Sequence, residues 1–419
     1  MQTSRLHQTV AAARRLGQSL AVTALSAGTA LGWALPAQAD AVSDWYAATQ
    51  AVRETVPPAT DPVIEQASAL VALAVYDAVI SIDGGYRPYL GALPVRLGAS
   101  SEAAANAAAH QILVTLFPQR RDQFDRLYER AIAGIANNET RSSGIAVGEA
   151  AAKRLLARRA PLAVDVTTAY RPVAKPGEFV PPQLPAREWL ARFKPFVLDD
   201  ITRFQSAGPP PLTSDAYARD YAEVEAIGAR NSSSRTEEQT KTAKFWNSTG
   251  LAQLPPQFFD RPGRTLAGNA RLWAIYATVE FDTAIVLVRE KYRLNFWRPV
   301  TAVRNGDVDL NPSTRRVANW EPLLTTPAHP DYPCGHCMIA AAATEVMSTE
   351  SGTSPPKDFM VTSGPDTRHY RNFDTLSAEI SSSRIWGGVH FRSGATDGAA
   401  LGRRIAQVIM KKAFDPPPK

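Results

Sequence analysis

Apolar residues recur at three- and four-residue spacing along most of the chain, and the two-residue alternation expected of strands is scarce. Residues 62–82, 101–118, 119–135 and 140–158 are rich in Ala and Leu and carry few breakers, so each predicts a helix. Helical spacing returns at 213–230, and again after Ser234, where Ser-Arg-Thr-Glu has the form of a capping box. A long apolar helix is predicted over 266–292 ("LWAIYATVEFDTAIVLV"), with others over 336–349, 375–386 and 395–413. Residues 160–211 break the pattern. Their ten prolines, including Pro209-Pro210-Pro211, predict a long irregular connection and not a packed element. The expected fold is all-α: helical bundles, two of four-helix type, with a long proline-rich connection. The expected organisation is an N-terminal helical region over 40–160, the connection over 161–212, and a C-terminal helical region over 213–419.

Charge and hydropathy then remove several classes of function. The first 39 residues combine Arg5, Arg14 and Arg15, no acidic residue, an apolar run from Leu16 to Leu35 and the small-residue sequence Ala37-Gln38-Ala39. That is the pattern of a signal peptide cleaved near Ala39, by Sec or Tat export, giving a periplasmic or secreted protein. Without those three arginines the formal charge of +6 falls to +3, so the sequence pI of 9.3 overstates basicity. No polybasic stretch suits nucleic acid. The most apolar later segment, "ASALVALAVYDAVISI" at 67–82, is interrupted by Asp77, so membrane insertion of the mature chain is not expected.

Only two cysteines are present, in "PAHPDYPCGHCMIA" at 327–340. Cys334-Gly335-His336-Cys337 has the form of a thioredoxin-type dithiol. Such a motif follows a buried strand, whereas "NWEPLLTTPAHPDYP" carries four prolines and no βαβ pattern surrounds it. A catalytic dithiol is therefore disfavoured, although an i,i+3 pair at a helix start permits a disulfide. The same residues suit an oxyanion: a glycine allowing close backbone approach and an imidazole at a helix N-terminus.

Two further basic clusters support the anion reading. In "KYRLNFWRP", Lys291 and Arg298 stand seven apart, two helical turns, and are expected to project from one side. In "SRIWGGVHFRSGATDG", Gly387-Gly388 interrupts the helix bearing Arg384 and lets His390 turn toward the same point. Taken singly, each basic residue is more simply a helix-end charge or a surface ion pair.

In combination, Lys291, Arg298-Pro299, the box Pro333-Cys334-Gly335-His336, and Ser383-Arg384 with His390 resemble the three-part signature of the vanadium-dependent haloperoxidases. Acid phosphatases and type 2 phosphatidic acid phosphatases share that signature. The stretch "ALVALAVYDAV" and the helical N-terminal portion resemble the soluble bacterial branch. The resemblance implies vanadate held by Lys291, Arg298, Arg384, Cys334 and the Gly335 N–H, with phosphate able to compete. It implies His390 as axial vanadium ligand and His336 as acid–base group. Hydrogen peroxide would oxidise halide, and the product would halogenate an organic acceptor. His329 stands where algal bromoperoxidases carry histidine, which favours bromide or iodide over chloride, and Trp297 is placed to shape the halide pocket.

Two positions depart from the pattern. Cys334 replaces the usual serine and would be a weaker donor. Gly394 stands where the family commonly has an acid, leaving Asp397 as the nearest downstream carboxylate able to orient His390. His110 and His369 match no family position and read as structural. The alternative activity is a soluble periplasmic acid phosphatase working through a phosphohistidine at His390; a degenerate site that only binds oxyanions is the non-enzymatic reading.

Overall fold

The computed structural model describes residues 40–55, 62–159, 170–181, 183, 185, 187–259, 263–351 and 358–415. The expected signal peptide and residues 161–169 of the connection lie outside the described residues.

Short polar side chains start many of the helices. Ser100, Asn138, Ser214, Thr236, Thr265 and Asn372 each accept a hydrogen bond from a first-turn N–H of the helix that follows. In chain order the helices are α1 (Ala41–Thr55), α2 (Pro62–Asp83), α3 (Ser101–Leu116), α4 (Arg121–Ala133), α5 (Glu139–Arg158) and α6 (Asp215–Gly228). There follow α7 (Glu237–Ser248), α8 (Leu266–Leu294), α9 (Pro299–Arg304), α10 (Gly335–Glu350), α11 (Phe373–Trp386) and α12 (Arg392–Lys412). One antiparallel hairpin, β1 (Phe359–Ser363) and β2 (Asp366–Tyr370), pairs Phe359 with Tyr370. The fold is all-α, as the spacing indicated.

Three details differ from the sequence reading. The capping box belongs to Thr236 and Gln239, because the Ser232 hydroxyl accepts the Ser234 and Arg235 N–H groups and turns the chain two residues later. Helix α1 was not anticipated, although Val42, Trp45, Tyr46, Thr49 and Val52 form a buried helical stripe. The connection is irregular but packed: Trp189, Phe193, Phe196 and Phe204 are buried. Their backbone is clamped by Asp282 of α8, whose carboxylate accepts the N–H groups of Phe196, Val197 and Leu198 at 2.6, 2.8 and 3.0 Å.

Helix α8 organises the interior. It contacts α2 on one side and α10 and α12 on the other, so a single hydrophobic cluster draws on residues from Ala41 to Phe414. Helix α2 is long and apolar enough to cross a membrane by composition, but it lies buried in this core. Its Asp77 accepts N–H groups from Tyr89 and Leu90, which satisfies a carboxylate inside an apolar helix.

The second half is held together by close packing of α12 on α10. Gly394, Gly398 and Gly402 recur every four residues and share one face of α12. A Cβ at Gly398 would stand 2.9 Å from the Cys334 carbonyl, and one at Gly402 only 2.1 Å from that of Met338. The two helix starts are pinned by a hydrogen bond from Cys334 N–H to the Gly394 carbonyl, 2.9 Å.

Candidate active site

Lys291 and Arg298 do not share a helix, contrary to the seven-residue expectation. Asn295 adopts left-handed geometry (φ 47°, ψ 37°) and closes α8, its N–H bonding the Lys291 carbonyl at 2.8 Å. Arg298 then sits extended ahead of Pro299, which opens α9. The two cations still converge, because both grip the segment preceding α10. Lys291 Nζ donates to the carbonyls of Pro330 and Asp331 at 2.7 and 2.8 Å. Arg298 donates to the carbonyls of His329 (2.8 Å) and Val389 (2.6 Å). It also meets His329 Nδ1 at 2.9 Å and His390 Nε2 at 3.2 Å.

The third cation arrives from α11. Arg384 is 1% exposed; its guanidinium donates to the Trp246 carbonyl at 3.4 Å, and its Nε has no partner. Helix α11 ends at Trp386, Gly388 takes a positive φ of 73°, and the chain doubles back so that His390 is buried beside Arg298. A side chain at 388 would collide with the Gly228 carbonyl, 2.4 Å from its Cβ, so glycine is required there.

Cys334 and Cys337 form a disulfide across the first turn of α10. Cys334 Sγ caps that turn by accepting the Cys337 N–H at 3.2 Å. The sulfur therefore carries no proton, and the expected thiol donation from Cys334 to an oxyanion is corrected. Gly335 and His336 follow at the N-terminus of α10, where backbone N–H groups lack intrahelical acceptors.

Sequence reasoning missed Asp331. Its carboxylate is fully buried, with Oδ1 3.0 Å from His390 Nδ1 and 3.9 Å from Arg298. Asp397, read as a helix-start charge or alternatively as a carboxylate orienting His390, is exposed on α12 and accepts the Tyr332 hydroxyl at 2.6 Å. The signal for Asp331 was its place within the histidine–proline segment, beside residues already singled out.

Lys291, His329, Gly335, His336 and His390 line one cavity of about 310 Å³. Its wall continues along one stripe of α8 through Val288, Leu287, Ala284 and Phe281 to Glu280. Lys291 and Glu280 are eleven positions apart on the helix, about 16 Å at 1.5 Å per residue. Glu280 pairs with Arg53, and Glu65 with Arg187, on the same cavity wall. Trp297 packs in a second apolar cluster with Phe296 and Tyr217 and does not line this cavity. His110 pairs with Asp125, and exposed His369 with Asp358, both outside the cavity.

Burial and mutual repulsion shift every titratable group in the cluster. Arg384 and Arg298 are lowered to about 9 and about 10, chiefly by desolvation. Lys291 is driven well below the usual lysine value by burial and then by Arg298. His336 opens into the cavity, and the Arg384 charge, then burial, hold its imidazole well below the ordinary histidine range. Burial first, then nearby cations, do the same to His390 and His329. Burial raises Asp331 to about 7 against the pull of Arg298 and Lys291. These shifts favour neutral imidazoles, and three basic side chains, Lys291, Arg298 and Arg384, surround the carboxyl of Asp331.

The all-α fold thus gathers three basic side chains and three histidines around one cavity. Residues 271–416 match the VCPO second helical-bundle domain. Over 205 residues the chain is 25% identical to vanadium chloroperoxidase of Curvularia inaequalis, covering 40% of this chain and 33% of that protein. It thus spans about a third of the length of that curated relative. The fold is shared with the crystal structure described as the first bacterial vanadium-dependent iodoperoxidase: TM-score 0.70, 21% identity, 90% of this chain and 97% of that one. The apo and holo forms of a bacterial vanadium-dependent chloroperoxidase each give a TM-score of 0.68 over 85% of this chain. They are 18% and 19% identical to it, with 94% and 92% of their own chains covered. The resemblance read from the three motifs is borne out.

Proposed function

We propose that the protein is a vanadate-dependent haloperoxidase that uses hydrogen peroxide to oxidise bromide or iodide in preference to chloride. Arg384 carries the reading: among the described residues, this buried guanidinium has no carboxylate within ion-pair distance, and its Nε is unpartnered. Burying a charge without a partner is costly, and an anionic guest relieves it. Three buried basic side chains suit a tetrahedral oxyanion, whose negative charge would favour the protonated form of Lys291. Lys291, Arg298, Arg384 and the Gly335 N–H would hold its oxygens, and His390 Nε2 would bind vanadium. The names of the similar proteins favour vanadate as that guest.

Bound vanadate would supply Lewis acidity that polarises peroxide for halide attack without a change of oxidation state. The protein's own part is electrostatic and protonic. The fixed cations are preorganised for the developing negative charge and need no reorganisation. His336, neutral and open to the cavity, takes a proton from incoming peroxide at its ring nitrogen and returns it to the departing oxygen. His329, fixed by Arg298 on the cavity wall, stands at the position where the resemblance has a bromoperoxidase histidine, which supports the bromide or iodide preference. The apolar α8 stripe would receive the organic acceptor. The Cys334–Cys337 disulfide supports an oxidising, exported location.

The test pairs two assays on vanadate-free protein with and without added vanadate. One is halogenation of a 1,3-diketone by peroxide with bromide or iodide; the other is p-nitrophenyl phosphate hydrolysis. Vanadate should switch on the first and inhibit any of the second. Hydrolysis without vanadate-activated halide oxidation would overturn the reading in favour of a phosphohistidine phosphatase.

A further inference from the structure

We propose that Asp331 is the positioning residue for His390, supplying from the segment before α10 the carboxylate that the resemblance expects at position 394 on α12. A guanidinium has donors only, so the 3.2 Å contact between Arg298 Nη1 and His390 Nε2 requires a lone pair on Nε2. A neutral imidazole then carries its proton on Nδ1, and Nδ1 lies 3.0 Å from Asp331 Oδ1. The Asp331 carboxylate thus meets the Nδ1 edge of the ring and Arg298 its Nε2 edge, which holds the imidazole between the two.

The simpler role, a counter-ion for Arg298, fits less well. That distance is 3.9 Å, and the same guanidinium already donates to the His329 and Val389 carbonyls. The Asp331 backbone is fixed at both ends, its N–H on the Phe296 carbonyl at 2.9 Å and its carbonyl under Lys291 Nζ. Position 394 supplies the second observation. A Cβ built on Gly394 would stand 3.2 Å from Asp331 Oδ2, its nearest neighbour. The space that a side chain at 394 would enter is therefore filled by the carboxylate from 331. One acid has been exchanged between two segments that meet beside His390.

This inference rests on the oxyanion reading only for the identity of the guest, so its test has one arm on ligand-free protein. That arm is ¹⁵N NMR of the full chain labelled at its histidine rings, with His390 assigned by loss of its signals in His390→Gln. The other arm is the affinity for vanadate and for inorganic phosphate. Wild type should show His390 protonated at Nδ1. Asp331→Ala should lose that preference and weaken oxyanion binding about 10- to 100-fold. The sign is diagnostic, because deleting a negative charge from a cationic pocket would otherwise tighten anion binding. Asp331→Ala/Gly394→Asp should restore the tautomer and at least a tenfold part of the affinity; Asp397→Ala should change neither.

An Asp331→Ala protein with an unchanged tautomer and equal or tighter oxyanion binding would overturn the proposal. A double variant with no restoration would overturn the exchange between 331 and 394. If the alanine variant fails to fold, Asp331→Asn keeps the side-chain shape and is expected to change both quantities in the same direction. Wild type that binds neither vanadate nor phosphate would overturn the functional reading, and the tautomer comparison would still decide the role of Asp331.

Discussion

Arg384 and His336 form a coupled pair whose behaviour depends on the guest. Arg384 is buried with a single long hydrogen bond to a carbonyl, so it destabilises the empty pocket that it prepares. Arg384→Met removes that charge at similar volume. The expected result is an unfolding temperature of vanadate-free protein equal to or above wild type, with vanadate affinity reduced about 10- to 100-fold, the range of one or two charge-assisted hydrogen bonds. Calorimetry and equilibrium titration measure both. His336 is held below the ordinary histidine value first by Arg384 and then by burial. Its ring should remain neutral from pH 8 to below the usual midpoint near ~6.5 in ligand-free protein. An oxyanion beside Arg384 offsets the repulsion, so vanadate or phosphate should raise that midpoint. Histidine ring ¹³C shifts followed against pH, with and without phosphate, test the direction.

Helices show where local sequence sufficed and where it did not. Among the described residues, the apolar spacing marked ten of the twelve α-helices to within a few positions, because each buries a face against a neighbour: α2, α8 or α10 for most, α3 for α4, and α11 for α6 and α7. Helix α1 escaped because its stripe is built from aromatic, small and polar residues. Helix α9 escaped because six residues are too short to show a period. The end of α8 could not be placed, because Asn295 closes it through backbone geometry that leaves little trace in composition. The glycines of α12 were legible only once its partner was known. Gly402→Ala should destabilise by about 1–3 kcal/mol, since its Cβ would meet the Met338 backbone at 2.1 Å. Gly394→Ala should destabilise less, its nearest neighbour being a side-chain carboxylate at 3.2 Å. Denaturant unfolding of the two variants gives the order.

For the molecule as a whole, the motif residues were readable and their supports were not. Lys291, Arg298, His336, Arg384 and His390 carry a spacing signature. The carboxylate beside His390 comes from a segment whose proximity only the fold creates. The connection was misjudged for a related reason: prolines report irregular backbone, whereas burial of Trp189, Phe193 and Phe196 depends on the Asp282 clamp. Desolvation raises that buried aspartate to about 6, against three backbone N–H bonds that lower it. The folded chain thus releases this proton near pH 6 and the unfolded chain near ~3.9. Between those values the folded state binds more protons, so this contribution to stability is complete below about pH 4 and lost above about pH 6. Asp282→Asn removes the titration. Relative to wild type, the variant should gain up to about 3 kcal/mol in unfolding free energy between pH 4 and pH 7, read by denaturant titration at both.

The α8 stripe from Glu280 to Lys291 is a graduated rule laid along the cavity, with its zero at the reactive end. Ala284 is the small mark between Phe281 and Leu287. A bulky residue there would shorten the chamber by about one helical pitch while leaving every charged group in place. On the proposed activity, Ala284→Phe should therefore cut off long acceptors and spare short ones, and a ladder of acceptor lengths would read out the depth at which halogenation stops.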